Sequence, residues 1–223
     1  MDMENKLVVS PSPHIHGGDS IPKNMYGVLI ALIPAFLVSL YVFRLDAAII
    51  TLFSVLFCVG FEYLITKFIL KKEPTISDGS AILTGVLLAF NLPSNLPLWI
   101  LAIGALAAIG IGKMSFGGLG NNIFNPALVG RIFLLISFPA QMTTWPVPAV
   151  AATDAVTSAT VLANLKFNPD NLPSLTHMLL GIEGGSLGEI SALALLLGLG
   201  YMLWKKIITW HIPTAILGTV AIF

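Results

Sequence analysis

Charge is scarce in this chain. Asp, Glu, Lys and Arg together make up 10% of its 223 residues, and hydrophobic residues make up 56%. About a quarter of an ordinary soluble domain is charged, so the composition excludes a water-solvated globule and points to a chain solvated by lipid. The few charges are balanced, with 11 Lys and Arg against 11 Asp and Glu. No basic run exceeds Lys71-Lys72 or Lys205-Lys206, so nothing tracks a phosphate backbone and no nucleic-acid partner is expected. Cysteine is nearly absent. Cys58 stands alone in an apolar stretch, which excludes an internal disulfide and a cysteine-ligated iron–sulfur cluster, and reads as a small buried residue. No Gly-x-Gly-x-x-Gly fingerprint for a dinucleotide is present. Of the histidines only His14 and His16 stand close together, without a third ligand nearby, so no metal site is expected. The stretch 1–23 lacks the apolar core of a cleavable signal peptide.

What the chain has is apolar runs. Residues 25–43 and 47–70 are each long enough to cross a bilayer, which takes ~20 helical residues for ~30 Å of hydrocarbon. The runs that follow are shorter and interrupted. Residues 80–90 stop at Asn91-Leu92-Pro93, and 97–111 lead into Gly117-Gly118-Leu119-Gly120 and Asn121-Asn122-Ile123-Phe124-Asn125-Pro126-Ala127. Residues 128–138 form another short run, 186–204 are expected to span, and a last run from Ile207 reaches Phe223, beyond which the natural protein is expected to continue. Non-helical backbone at membrane depth is tolerated only where protein or a cavity satisfies its N–H and C=O groups, and such broken helices line cofactor or ion sites. A plain tight loop between helices is the other reading. The fold class expected is an all-α integral membrane protein, a bundle with broken or half helices. Four parts are expected: a cytoplasmic segment 1–24, a transmembrane bundle 25–138, a polar Pro-rich loop 139–185, and further transmembrane segments 186–223.

Orientation follows from the cations, because cytoplasmic loops carry an excess of Lys and Arg. With a cytoplasmic N-terminus, Lys6, Lys23, Lys67, Lys71, Lys72, Lys113, Lys205 and Lys206 fall inside, Arg44 and Lys166 outside, and Arg131 within a span. The loop 139–185 is then extracytoplasmic. Trp99, Trp145, Trp204 and Trp210 fall mostly near span ends, as in an interfacial belt.

That loop contains Asp154-Ala155-Val156-Thr157-Ser158-Ala159-Thr160. Thr157 can cap a short helix over 158–166. Capping needs one hydroxyl and three are present, so one of them can instead accept a phosphate-linked group. With Thr157 as the cap, a phosphate on Thr160 would meet the free N–H groups and positive dipole end of the first turn.

The segment resembles the motif Asp-x-x-Ser/Thr-x-Ala-Thr, which the extracytoplasmic flavin transferase recognises when it moves FMN onto the last threonine as a phosphoester. The matching residue is Thr160, with Asp154, Thr157, Ser158 and Ala159 completing the motif. Ser10-Pro11-Ser12-Pro13-His14, Asp78-Gly79-Ser80-Ala81-Ile82-Leu83-Thr84-Gly85, the stretch 117–127 and Ile207-Ile208-Thr209-Trp210-His211-Ile212-Pro213 are similar to blocks of the D subunit of the Rnf complex, an ion-translocating ferredoxin:NAD oxidoreductase. The B subunit of the Na⁺-translocating NADH:quinone reductase is a paralogue with a longer N-terminal region. The resemblance implies two inverted repeats, of which this chain holds the first and begins the second. It also implies a multi-pass place in a bacterial inner membrane, in contact with lipid and with the other Rnf subunits, and a flavin transferase for maturation. It implies covalent FMN at Thr160 and a second flavin, non-covalent riboflavin, near the Asn-x-x-Asn-Pro-Ala break at Asn122 and Asn125. Those amides can pair with flavin ring atoms, or they can satisfy the freed backbone of the break.

Three ionisable residues lie within or at the edge of spans. Glu189 suits a helix start, while Glu62 and Arg131 can pair with each other, and Arg131 can instead meet a flavin phosphate or a partner protein of the complex. Two other classes of function compete. A non-redox channel or transporter is one, since Asn125-Pro126-Ala127 matches the aquaporin signature, although no second copy follows. A passive scaffold is the other, but it has no use for the hydroxyl cluster.

Overall fold

The computed structural model describes residues 20–72, 76–148, 157–158, 165, 174–181 and 184–222. It is an all-α membrane protein. Helix α1, Ile21–Phe43, starts where the Ser20 side chain accepts a bond from the Lys23 N–H and Pro22 fits the first turn. Helix α2, Leu45–Leu64, continues through a π turn, Ile65–Ile69. Both α1 and α2 with its π turn are long and apolar enough to cross a membrane. So is the segment Leu98–Phe116. Its parts are the helix Leu98–Leu106, a π turn, Ala107–Ile111, and a 3-10 turn, Met114–Phe116.

Two of the shorter apolar helices frame the candidate site. Helix α3, Ser80–Phe90, has 11 residues. With Leu98–Leu106 taken as α4, the next helix is α5, Pro126–Ser137, which has 12. These lengths are about 16 and 18 Å at 1.5 Å per residue, roughly half of the hydrocarbon. Helix α3 lies along α2 at close range. Ser54 Oγ donates to the Gly85 carbonyl at 2.7 Å, and a Cβ on Gly85 would stand 2.7 Å from Val55 Cα. Small residues let helix backbones approach in this way inside a membrane, where packing rather than water drives association. The core is the shared interior of α2, α3, α4 and α5, with Cys58, Leu88, Ile100, Leu101, Ile109 and Leu134 buried.

After α5 come a short helix α6, Pro139–Met142, a two-residue strand β1, Trp145–Pro146, and its antiparallel partner β2, Thr157–Ser158. Helix α7 is Leu175–Leu180, α8 is Ala192–Trp204 and α9 is His211–Ile222.

Two expectations are corrected here. Ser158 pairs with Trp145 in extended backbone, so the helix read over 158–166 does not begin at Ser158 and Thr157 is not its cap. Residues 186–204 are not one continuous helix either. Residues 186–190 form turns, and α8 starts only at Ala192, capped by Ser191 Oγ at 3.3 Å from the Ala194 N–H. The physical reason is the broken end of α3. The Leu187 N–H bonds the Leu92 carbonyl at 3.2 Å and the Gly188 N–H bonds the Phe90 carbonyl at 2.8 Å. Carbonyls freed by the break are thus paired with a distant part of the chain, as backbone away from water requires.

Candidate functional site: a polar cavity between two half helices

The N-terminal ends of α3 and α5 open onto one cavity of about 260 Å³. Met25, Leu83, Leu87 and Leu119 give it apolar walls, and Ser80, Thr84, Lys113, Asn122 and Asn125 give it polar ones. Gly79 takes a left-handed φ of 76° ahead of Ser80, a turn that favours glycine. On the other side Gly117, Gly118 and Gly120 all have φ between 90° and 101°. They turn the chain from α4 into the Asn-rich break. There Asn125 caps α5, its Oδ1 accepting from the Ala127 N–H at 3.0 Å, with Pro126 in the first turn. Asn122 Nδ2 donates to the Phe124 carbonyl at 2.9 Å.

Both amides therefore satisfy the freed backbone, as one of the two sequence readings holds. Each also keeps a polar atom unused among the described residues. Asn122 retains its carbonyl oxygen as an acceptor, and Asn125 retains its nitrogen as a donor. The structure brings both to the same cavity, together with a lysine that the sequence alone does not link to them.

Read from the sequence, Lys113 is one of eight cations on the cytoplasmic side, with no partner assigned to it. Its side chain is 2% exposed, and Nζ lies 2.6 Å from Glu62 Oε2 and 2.6 Å from Ser80 Oγ. Ser80 Oγ in turn donates to Asp78 Oδ1 at 2.6 Å. A row of polar groups thus leads from half-buried Asp78 to fully buried Glu62, whose Oε1 has no hydrogen-bond partner among the described residues. Helix α2 and its π turn run seven residues past Glu62 to Ile69, so the pair lies roughly 10 Å inside the end of that helix. Each charge is costly at such depth unless paired. Both partners border a π turn, Ile65–Ile69 or Ala107–Ile111, a distortion frequent at functional sites.

Of the alternatives open for Glu62 and Arg131, this geometry rules out their pairing with each other. Arg131 donates to Asn91 Oδ1 at 2.7 Å and stands 4.0 Å from Glu189 Oε1. It secures the C-terminal end of α3 to the turn before α8. Cys58 is buried, as expected. Among the described residues no three His, Cys, Asp or Glu side chains gather as a metal site. Of the loop motif, Thr157 and Ser158 form β2, while Asp154, Ala159 and Thr160 lie outside the described residues, as do His14 and His16.

Comparison with known proteins decides the family. The sequence profile of the NQR2, RnfD, RnfE family matches residues 8–223. The chain belongs to that family. Within the NQR2, RnfD, RnfE family it is similar to the D subunit of the Na(+)-translocating ferredoxin:NAD(+) oxidoreductase complex of Acetobacterium woodii. The two are 49% identical over 223 residues, which is 99% of this chain and 69% of the relative. The D subunit of the proton-translocating ferredoxin:NAD(+) oxidoreductase complex of Clostridium ljungdahlii is 41% identical over 228 residues, 98% of this chain and 69% of the relative. The D subunit of the ion-translocating oxidoreductase complex of Rhodobacter capsulatus is 39% identical over 236 residues, 93% of this chain and 66% of the relative. The first two relatives are named for different ions, so likeness to them does not select between Na⁺ and H⁺.

Proposed function

We propose that this chain is a membrane electron-transfer subunit of an ion-translocating oxidoreductase complex, coupling electron flow between ferredoxin and NAD to the movement of Na⁺ or H⁺. The observation that carries the reading is 49% identity, over 99% of the chain, to a relative named as the D subunit of such a complex. NAD and ferredoxin sites belong to partner subunits in this reading, since the sequence has neither a dinucleotide fingerprint nor a cysteine cluster.

Two flavins are assigned to it. FMN is esterified through its phosphate to the Thr160 hydroxyl by a flavin transferase, with Asp154, Thr157, Ser158 and Ala159 as the rest of the recognised segment. Riboflavin is held without a covalent bond at the cavity between α3 and α5. Bound flavin supplies the redox chemistry, taking up and giving back electrons. The residues present fit such a ring system. Asn122 offers an acceptor for a ring N–H and Asn125 a donor for a ring carbonyl, while Met25, Leu83 and Leu87 give the cavity apolar walls. Lys113 sets a fixed positive charge in the wall, held in place by Glu62 and Ser80. The lysine-rich ends of the helices face the cytoplasm and the loop bearing Thr160 faces the other side, where the transferase works.

In-gel flavin fluorescence tests the attachment. The full-length protein, produced with its transferase and denatured, is expected to give a fluorescent band that Thr160→Ala abolishes. A band that survives this substitution contradicts the assignment to Thr160. A channel or passive scaffold would give no band from the unaltered protein.

A further inference from the structure

Helices α1 and α8 run antiparallel and pack so closely that a Cβ on Gly198 would collide with the Ala31 carbonyl. Toward the ends that carry Lys23 and Lys205, a second cavity of about 460 Å³ opens between them. Ile30 and Ile207 give it an apolar floor, and Ile207 Cδ1 fits there because Gly27 has no side chain. Two phenols, Tyr26 and Tyr201, stand in its walls, and Lys23, Lys205 and Lys206 surround its mouth. Among the described residues neither Lys205 nor Lys206 has a carboxylate partner within 4.0 Å.

We propose that this cavity binds the headgroup of an anionic phospholipid, with its phosphate at Lys205 and Lys206 and its acyl chains along Ile30, Ile33 and Leu37. Those three residues form one stripe on α1 and are 48%, 48% and 59% exposed. The cavity lies at interfacial depth. Trp204, the last residue of α8, is 76% exposed, and Lys205 Nζ sits 4.9 Å above its ring. An exposed indole at a helix end marks the headgroup layer, and lysines there extend toward phosphates. Basic pockets between membrane helices take anionic headgroups in this way. Lys206 takes a left-handed φ of 57° where it closes α8, the next N–H, that of Ile207, bonding the Met202 carbonyl at 3.0 Å. The volume falls in the range of ~300–1,000 Å³ typical of ligand sites. Free phosphate would meet the lysines but leave the apolar floor and the stripe without a partner.

The test is native mass spectrometry of the intact complex released from nanodiscs that contain phosphatidylcholine and phosphatidylglycerol. The complex is expected to retain phosphatidylglycerol in preference to phosphatidylcholine. A Lys205→Gln/Lys206→Gln variant is expected to lose that retention by about 30-fold, from ~1 kcal/mol per lysine at a membrane surface. Lys205→Arg/Lys206→Arg keeps the charge and is expected to keep the lipid. Lys71→Gln/Lys72→Gln, on lysines outside the cavity, is expected to change nothing. Equal retention of both lipids overturns the proposal, as does equal loss in the Lys71/Lys72 variant or a loss in the Arg variant that matches the Gln variant. Displacement of the lipid by millimolar inorganic phosphate identifies a small-anion site and also overturns it.

Discussion

Lys113 is a cation with almost no water around it, and that single fact organises the interior. Its ammonium has a carboxylate partner in Glu62 and a hydroxyl partner in Ser80. Removing one member of a buried pair leaves the other charge stranded, which costs about 3–5 kcal/mol, whereas removing both together is close to neutral. Lys113→Met is therefore expected to lower stability in detergent by about that amount, and Lys113→Met/Glu62→Gln to recover most of the loss. Denaturant unfolding of the three proteins measures it. Additive losses in the double variant would mean that the two residues act independently. The pairing is not legible in the sequence. Lys113 follows an apolar run, and a lysine after such a run looks the same whether the helix end faces water or protein. Arg131, inside a run, is the more visible partner for Glu62. The one available signal is Glu62 itself, an acid deep in a span that demands a cation.

At the scale of elements, the sequence and the structure agree where the determinants are local. The apolar runs, the stop at Asn91-Leu92-Pro93, the glycine turns and the Asn125-Pro126 start of α5 all act on their own neighbours, and α3 occupies the expected 80–90. Agreement fails where the cause is distant. Residues 186–191 are expected from the sequence to open a span that runs to Trp204, but their conformation is set by the carbonyls of Phe90 and Leu92. The loop motif is a similar case, since Thr157 and Ser158 are held extended by Trp145 and Pro146. Close packing of α2 on α3 rests on Gly85, whose missing Cβ faces backbone atoms of Val55 and Ser54 that cannot rotate away. Gly85→Ala is expected to cost about 1–3 kcal/mol through overpacking, read as a lower thermal midpoint. An unchanged midpoint would show that the two helices can separate freely.

For the molecule as a whole, charge placement and cavity placement concern the same end of the bundle. Without buried Lys113, seven of the cations assigned to the cytoplasmic side remain against two outside, Lys6, Lys23, Lys67, Lys71, Lys72, Lys205 and Lys206 against Arg44 and Lys166, so the bias persists. Labelling of single cysteines tests the orientation. In a Cys58→Ala background, a membrane-impermeant maleimide applied to intact cells is expected to label Gln141→Cys and to spare Lys71→Cys. The opposite pattern would invert the topology and place the Thr160 loop on the wrong side for its transferase.

The central claim is a flavin nucleotide on Thr160, and peptide mass spectrometry addresses it most directly. Trypsin cuts after Arg131 and Lys166 and at no Lys or Arg between them, so one peptide, 132–166, carries the whole motif. From cells that possess the transferase, this peptide is expected to be heavier by one esterified FMN, with fragmentation placing the added mass on Thr160. A peptide with the mass of its unmodified amino acids would contradict the account.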